Sequence, residues 1–170
     1  ISYLNRDPAP VADMMASIEQ NLIIIKDEDG LIYWPEFGVN SMNNMYPGRG
    51  YQIKLNSDVL FSYNSVSSTR FSDFTNNLET TYFSNPKKTG ENMTIGIPIS
   101  SWVFLPSLGD EVGVFSSDGI LVGKGIFNGK SMAISIWGDD FSTFEKDGII
   151  SGEYFSLKLW DHKSNQEKNL

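Results

Sequence analysis

The feature that most constrains the fold is a series of short β-type runs separated by glycine turns in the C-terminal half. Runs rich in branched and aromatic residues recur at 93–98, 111–115, 121–127, 131–137 and 154–160. Asp-Gly or Asn-Gly dipeptides stand at 118–119, 128–129 and 147–148. This spacing is typical of antiparallel strands joined by tight turns. We therefore predict an antiparallel, immunoglobulin-like β-sandwich for this half.

The N-terminal half mixes helical and strand patterns. Apolar residues at spacings of three and four predict an amphipathic helix within residues 8–21: Val11, Met14, Met15 and Ile18. The branched runs at 21–26 and 31–34 flank the turn 27–30 and predict a β-hairpin. We also predict one helical turn within 39–46 and strands at 51–55 and 59–63. The expected fold class is mainly β, with an α+β N-terminal module before the sandwich.

A stretch rich in Ser, Thr and Asn separates the two halves and predicts a connector. We place an α+β module at 1–64, the connector at 65–79 and the sandwich module at 80–170. Phe71, Phe74, Leu78 and Tyr82 keep helical spacing within or beside the connector. That spacing favours an ordered linker over a disordered one.

Composition excludes several classes of function. The chain has no cysteine and one histidine, His162, which excludes thiol catalysis, disulfide frameworks and Cys/His zinc sites. We expect His162 to be an exposed imidazole with no evident partner for a catalytic triad, and Asp110 and Glu111 to be solvated charges that face opposite sides of a strand. No complete catalytic set is visible, so we predict that the chain is not an enzyme.

The charge balance and the hydropathy pattern limit the partners. Twenty-one acidic and 13 basic side chains give a net charge of −8, which disfavours nucleic-acid binding. Purely apolar runs such as residues 22–25 cover only four or five residues, whereas a membrane-spanning helix needs about 20 residues. We therefore expect no nucleic-acid partner and no membrane insertion.

Several segments resemble modules of large, multidomain surface proteins that gliding bacteria export by the type IX secretion route. In the first half the resemblance is carried by LIIIKDEDGLIYWPEFGVN at 22–40 and PGRGYQIK at 47–54. In the second half it is carried by GENMT, LGDEVGVF, VG and IWGDD, which begin at residues 90, 108, 122 and 136. The second set is similar to a companion module that also occurs in some virion-associated proteins.

The resemblance implies a location more than an activity. It implies a cell-surface or extracellular module within a longer polypeptide, with neighbouring modules or subunits of a surface assembly as partners. Such modules usually begin with a Gly-Trp-Asn strand before the Ile-Ser-Tyr segment, so we expect the first strand to be truncated here.

An acidic loop is the candidate metal site. Asp139, Asp140 and Asp147 place oxygen ligands close together in the chain, and Ca²⁺ takes six to eight oxygens in proteins. The alternative is that these aspartates cap turns through hydrogen bonds to the backbone. The spacing does not reproduce the EF-hand pattern.

Tryptophans are the candidate ligand-binding residues. Trp34 stands beside Pro35 and close to Phe37, and it is the expected exposed platform for a sugar ring or a protein partner. Trp137 ends a predicted strand, where packing in the core is the alternative to contact with a glycan.

Three functions remain open at this point. The leading hypothesis is a non-enzymatic extracellular structural or adhesion module of a larger surface protein. The alternative is a virion structural or fibre protein that assembles through the same sandwich. A carbohydrate-binding module is a third hypothesis.

Overall fold

A computed structural model describes residues 1–63 and 82–170. The chain divides into two compact units, Ile1–Asn76 and Asn77–Leu170. The predicted connector at 65–79, with the apolar spacing of Phe71, Phe74 and Leu78, lies outside the described residues. Both units contain antiparallel sheets and little helix, which confirms the prediction of a mainly β chain.

The first unit has a two-stranded sheet and a four-stranded sheet. Its elements are β1 (Ala9–Pro10), α1 (Val11–Met15), β2 (Leu22–Lys26), β3 (Ile32–Trp34), β4 (Val39–Asn40), β5 (Asn44–Met45) and β6 (Gln52–Leu55). The strand orders are β1-β5 and β4-β3-β2-β6, and all pairs are antiparallel. Short 3₁₀ turns lie at Ala16–Ile18 and Pro35–Phe37.

The predicted helix exists but is shorter than its apolar pattern. It begins after Pro10 and ends at Met15, and the chain continues as the 3₁₀ turn Ala16–Ile18. Val11, Met14, Met15 and Ile18 are all buried in the core of the unit, as the spacing predicts.

The hairpin is confirmed, with Ile25 opposite Tyr33 in the ladder between β2 and β3. Its turn is closed by the Asp27 carboxylate, which accepts a hydrogen bond from Leu31 N–H, and by Gly30 at a φ of 78°. The turn is therefore explained without a ligand.

Two local predictions for this unit are wrong. The helical turn expected within 39–46 is replaced by β4 and β5, because Asn43 takes a left-handed φ of 57° that interrupts a helix. Residues 59–63 form no strand; instead Phe61 and Tyr63 pack irregularly against the core, with their rings edge to face.

The second unit is built on one six-stranded antiparallel sheet. Its strands are β7 (Asn92–Ile97), β8 (Glu111–Ser116), β9 (Leu121–Ile126), β10 (Met132–Trp137), β11 (Phe155–Asp161) and β12 (Gln166–Asn169). Their order in the sheet is β12-β11-β8-β9-β10-β7. Strands β7 to β11 match the predicted strands within one or two residues. Strand β12 falls in a polar segment that carries no strand pattern.

The core of this unit lies on one face of the sheet. Alternate residues of β8 and β10 point into it, among them Val112, Val114, Ile134 and Ile136. The opposite face of β8 is covered by Phe83, which comes so close to Gly113 that an added Cβ would lie 3.1 Å from its ring. Cover on both faces is consistent with a β-sandwich.

No helix in residues 1–63 or 82–170 is long and apolar enough to cross a membrane.

Candidate binding site

An apolar groove in the second unit is the best candidate for a functional site. After β7 the chain makes a 3₁₀ turn at Ile99–Ser101 and then runs without regular structure to β8. A cavity of about 570 Å³ lies between this segment and the β11–β12 pair. This size is within the range of ligand pockets. We call this cavity the Trp102 groove; its walls include Ile97, Trp102, Phe104, Leu157, Leu159 and Lys168.

Register explains why one face of β11 and β12 forms the floor of the groove. Leu159 lies directly opposite Lys168 in the ladder, and Leu157 and Leu159 are two residues apart on the same strand. Side chains at these positions point to the same side of the sheet. Apolar surface from β11 therefore meets the long side chain of Lys168 at the edge of the sheet.

The rim of the groove presents apolar side chains to solvent. Val103, Phe104 and Leu105 are 89%, 88% and 60% exposed, and all three line the cavity. Single exposed apolar residues are common on soluble proteins, but contiguous ones mark interaction surfaces. Residues 103–105 are consecutive, so the rim is a contiguous apolar surface.

Trp102 lies where this segment meets the core. Its ring packs against the core of the unit and stands edge to face with Phe127, with the ring centroids 6.1 Å apart. Its indole N–H is buried and has no acceptor among the described residues. A buried donor without an acceptor costs about 1–3 kcal/mol, so such groups are rare and call for an explanation.

An ion pair lies at the β12 side of the groove. Lys168 Nζ is 2.7 Å from Asp161 Oδ2, and both residues line the cavity. The hydrogen bond from Lys168, followed by those from Ser164, holds the pKa of the Asp161 carboxyl far below its usual range. Asp161 is therefore ionised throughout the ordinary pH range.

Asp110 is buried, and the prediction that it is solvated is wrong. Its carboxylate accepts hydrogen bonds from Ser107 N–H at 2.8 Å and from His162 N–H at 3.2 Å. His162 Nδ1 lies 2.6 Å from the same carboxylate, an acidic partner that the sequence pattern did not reveal. The His162 side chain is exposed, as predicted. Asp110 thereby ties residues 107–109 to the end of β11.

Glu111 is buried on the other side of the strand, so the prediction of solvated charge fails for it as well. Its carboxylate accepts hydrogen bonds from the backbone N–H groups of Tyr82 and Phe83. The two adjacent carboxylates face opposite sides, as strand geometry predicts, and each holds a different segment. They do not form a pair that faces one substrate.

Among the described residues, the Asp110–His162 pair supplies two of the three groups of a Ser-His-Asp relay. A Ser-His-Asp mechanism needs a hydroxyl within hydrogen-bond reach of the second ring nitrogen. Among the described residues, no serine or threonine hydroxyl is bonded to the His162 ring; Asp110 is its side-chain partner.

The acidic loop uses its carboxylates to bind its own backbone. Asp139 Oδ1 accepts a hydrogen bond from Asp147 N–H at 2.8 Å, and Asp147 Oδ1 accepts one from Asp140 N–H at 3.0 Å. Asp140 Oδ1 accepts from Ser142 N–H. The other oxygen of Asp147 pairs with Lys87, and this hydrogen bond lowers the pKa of the Asp147 carboxyl.

In the part of the chain that is described, no group of three or more His, Cys, Asp or Glu side chains is arranged to hold a metal ion. The calcium site at Asp139, Asp140 and Asp147 stays a prediction. The hydrogen bonds of the loop favour the alternative, in which these aspartates cap turns.

The two predicted ligand-binding tryptophans belong to different units. Trp34 is half-buried, with its ring edge to face with Phe37 at 4.5 Å between centroids, and its indole N–H is buried without an acceptor among the described residues. Trp137 is buried, and Lys88 Nζ lies 5.6 Å above its ring. Neither lines the Trp102 groove.

Sequence patterns missed the groove because its parts are distant in the chain. The usable signal was the run Trp-Val-Phe-Leu-Pro at 102–106, which is apolar but bounded by serines and a proline. Such a run does not reveal that its side chains stay exposed.

Comparison with protein-family models, with curated proteins and with solved structures found no match.

Proposed function

We propose that this chain is a non-enzymatic structural or adhesion module of a larger extracellular surface protein, and that the Trp102 groove is its contact surface. The exposed run 103–105 at the rim is the observation that carries this proposal. A module that keeps three consecutive large apolar side chains in water gains free energy when a partner covers them.

Two further observations support the proposal. The resemblance of segments 22–40 and 47–54 to modules of secreted surface proteins favours an extracellular location. In the described residues, the buried carboxylates Asp110 and Glu111 are occupied by hydrogen bonds that hold loops, which favours a scaffold over a catalyst.

Bead adhesion under flow tests this function. Polystyrene beads carrying the chain are washed over plain glass, collagen-coated glass and a surface coated with the same chain, and the shear that removes half of them is measured. We expect the wild type to resist higher shear than bare beads on at least one surface. Phe104→Ser should lose this resistance, because it removes apolar area from the rim.

Phe144→Ser is the matched control, since Phe144 is fully exposed in the same unit but does not line the groove. The proposal is contradicted if the two variants behave equally. It is also contradicted if wild-type beads are removed at the same shear as bare beads on all three surfaces. Light scattering of the purified chain provides a second measurement: a monomer agrees with a module of a longer chain, whereas a stable trimer would favour the virion alternative.

A further inference from the structure

We infer that the Trp102 groove binds an extended peptide segment, apolar in its centre and basic at its ends, which adds as a strand to the free edge of β12. This inference rests on the proposed function and names the partner of the same surface.

Among the described residues, no strand pairs with the outer side of β12. The strand is at one end of the sheet order, and the N–H of Leu170 donates to the Leu157 carbonyl at 3.0 Å. Main-chain groups along an antiparallel strand face the partner strand at every second residue. Leu170 and Lys168 therefore face β11, and the N–H and C=O of Glu167 and Asn169 point away from it.

The charged side chains of β12 do not protect this edge. Proteins commonly block free strand edges with unpaired charges, lysine above all. Here Lys168 is held by Asp161 at 2.7 Å on one face, and Glu167 is held by Lys158 at 2.7 Å on the other face. Both charges are directed along the sheet toward β11 and leave the main chain of the edge accessible.

Strand addition needs main-chain hydrogen bonds and, in addition, pockets for alternate side chains of the added strand. The groove supplies such pockets. Ile97, Leu157 and Phe104 offer apolar surface, and the cavity reaches Asn169 at the edge strand.

Charge favours a basic segment. The ionisable groups that line the groove are Asp110, Asp161 and Lys168, so carboxylates outnumber ammonium groups there. The whole chain carries a net charge of −8. Complementary charge raises the rate of association and excludes acidic competitors.

Fluorescence anisotropy with labelled peptides tests the inference. The probe is the peptide Lys-Val-Thr-Val-Thr-Val-Lys, and two controls replace the central Val by Pro or both Lys residues by Glu. We expect the probe to bind saturably with a dissociation constant below 1 mM. The Pro peptide should bind at least about tenfold more weakly, because it lacks a main-chain donor. The acidic peptide should also bind more weakly than the probe. Absence of binding by the probe, or equal binding of all three peptides, would overturn the inference.

Variants of the chain locate the site. Asn169→Pro removes an N–H that points away from β11, whereas Asn169→Ala keeps it, so only the first should weaken binding by about tenfold or more. Phe104→Ser should also weaken binding, and Phe144→Ser should not. Thermal unfolding of each variant verifies that it folds; if Asn169→Pro unfolds, Glu167→Pro replaces it.

The outcomes for the two proposals are distinguishable. If bead adhesion depends on Phe104 but none of the peptides binds, the adhesion function stands and strand addition is overturned. Peptide binding that is unchanged by Asn169→Pro and Glu167→Pro, in folded variants, shows that the segment binds elsewhere and also overturns it.

Discussion

Asp110 connects two segments of the second unit through a buried carboxylate. Asp110→Ala leaves the N–H groups of Ser107 and His162 without their acceptor. We expect the free energy of unfolding to fall by about 1–3 kcal/mol, measured by urea denaturation. Glu145→Ala, at an exposed position of the same unit, is the control and should change it by less than about 0.5 kcal/mol. Equal effects of the two variants would show that the carboxylate has no structural role.

Glu153 makes the stability of the second unit dependent on pH. Its carboxylate accepts hydrogen bonds from Ile150 N–H, Lys146 and Ser117, which lower its pKa from 4.5 to about 2. A carboxyl group whose pKa is lower in the folded state stabilises that state at any pH above its pKa in the unfolded state. This stabilisation is lost as the pH falls through the pKa of the folded state. We expect the urea concentration at the midpoint of unfolding of the wild type to decrease as the pH is lowered from 4.5 to 2.

The comparison is with Glu153→Gln, which cannot titrate. Its urea midpoint should be lower than that of the wild type at pH 6 and should fall less between pH 4.5 and 2. Parallel curves for the two proteins would contradict the assignment of this pH dependence to Glu153.

The packing of β9 against β10 leaves little space for added volume at two glycines. A Cβ at Gly123 would lie 2.6 Å from the carbonyl oxygen of Ser135, whereas one at Gly125 would meet the terminal methyl of Met132 at 2.9 Å. A backbone oxygen in a ladder cannot move away, but a methionine side chain can. We expect Gly123→Ala to cost about 1–3 kcal/mol of stability and Gly125→Ala to cost less, measured by urea denaturation. The reverse order would show that the strands separate more easily than the side chain moves.

The acidic loop allows the metal prediction to be tested at the same scale. Asp147→Asn weakens the bond to Lys87, so the melting temperature should fall by the same amount with Ca²⁺ and with chelator. If Ca²⁺ binds the native loop, a hundredfold excess over its dissociation constant would instead add about 2.7 kcal/mol to the wild type and nothing to the variant. Calorimetric scans in the two buffers separate these results.

Both the success and the failure of the local predictions have physical causes. Strands β7 to β11 were predictable because each combines branched residues with a bounding turn, and α1 because Val11, Met14 and Ile18 keep one apolar face. Strand β12 has only polar side chains, all exposed, and is held by main-chain pairing with β11. No side-chain pattern reports a strand of that kind.

At the scale of the whole molecule, each unit has its own buried cluster. One is centred on Met15 and Ile25 in the first unit, and the other on Val112 and Ile136 in the second. A unit with a core of its own is expected to fold alone. Asn77–Leu170, expressed by itself, should therefore unfold cooperatively in urea and keep a near-ultraviolet circular dichroism signal. A gradual transition without that signal would contradict independent folding.

The amino-acid sequence by itself determined the class of structure. Alternation of apolar residues and Gly turns specifies strands through local geometry, and the absence of cysteine together with a single histidine removes whole classes of chemistry. Tertiary structure alone decided the candidate site. Trp102, Asp110 and Lys168 come from distant parts of the chain and line one groove, and His162 reaches the Asp110 carboxylate from the end of β11. Burial and solvent exposure depend on which surfaces meet, so neither the buried charge of Asp110 nor the exposure of Phe104 follows from residue type and spacing.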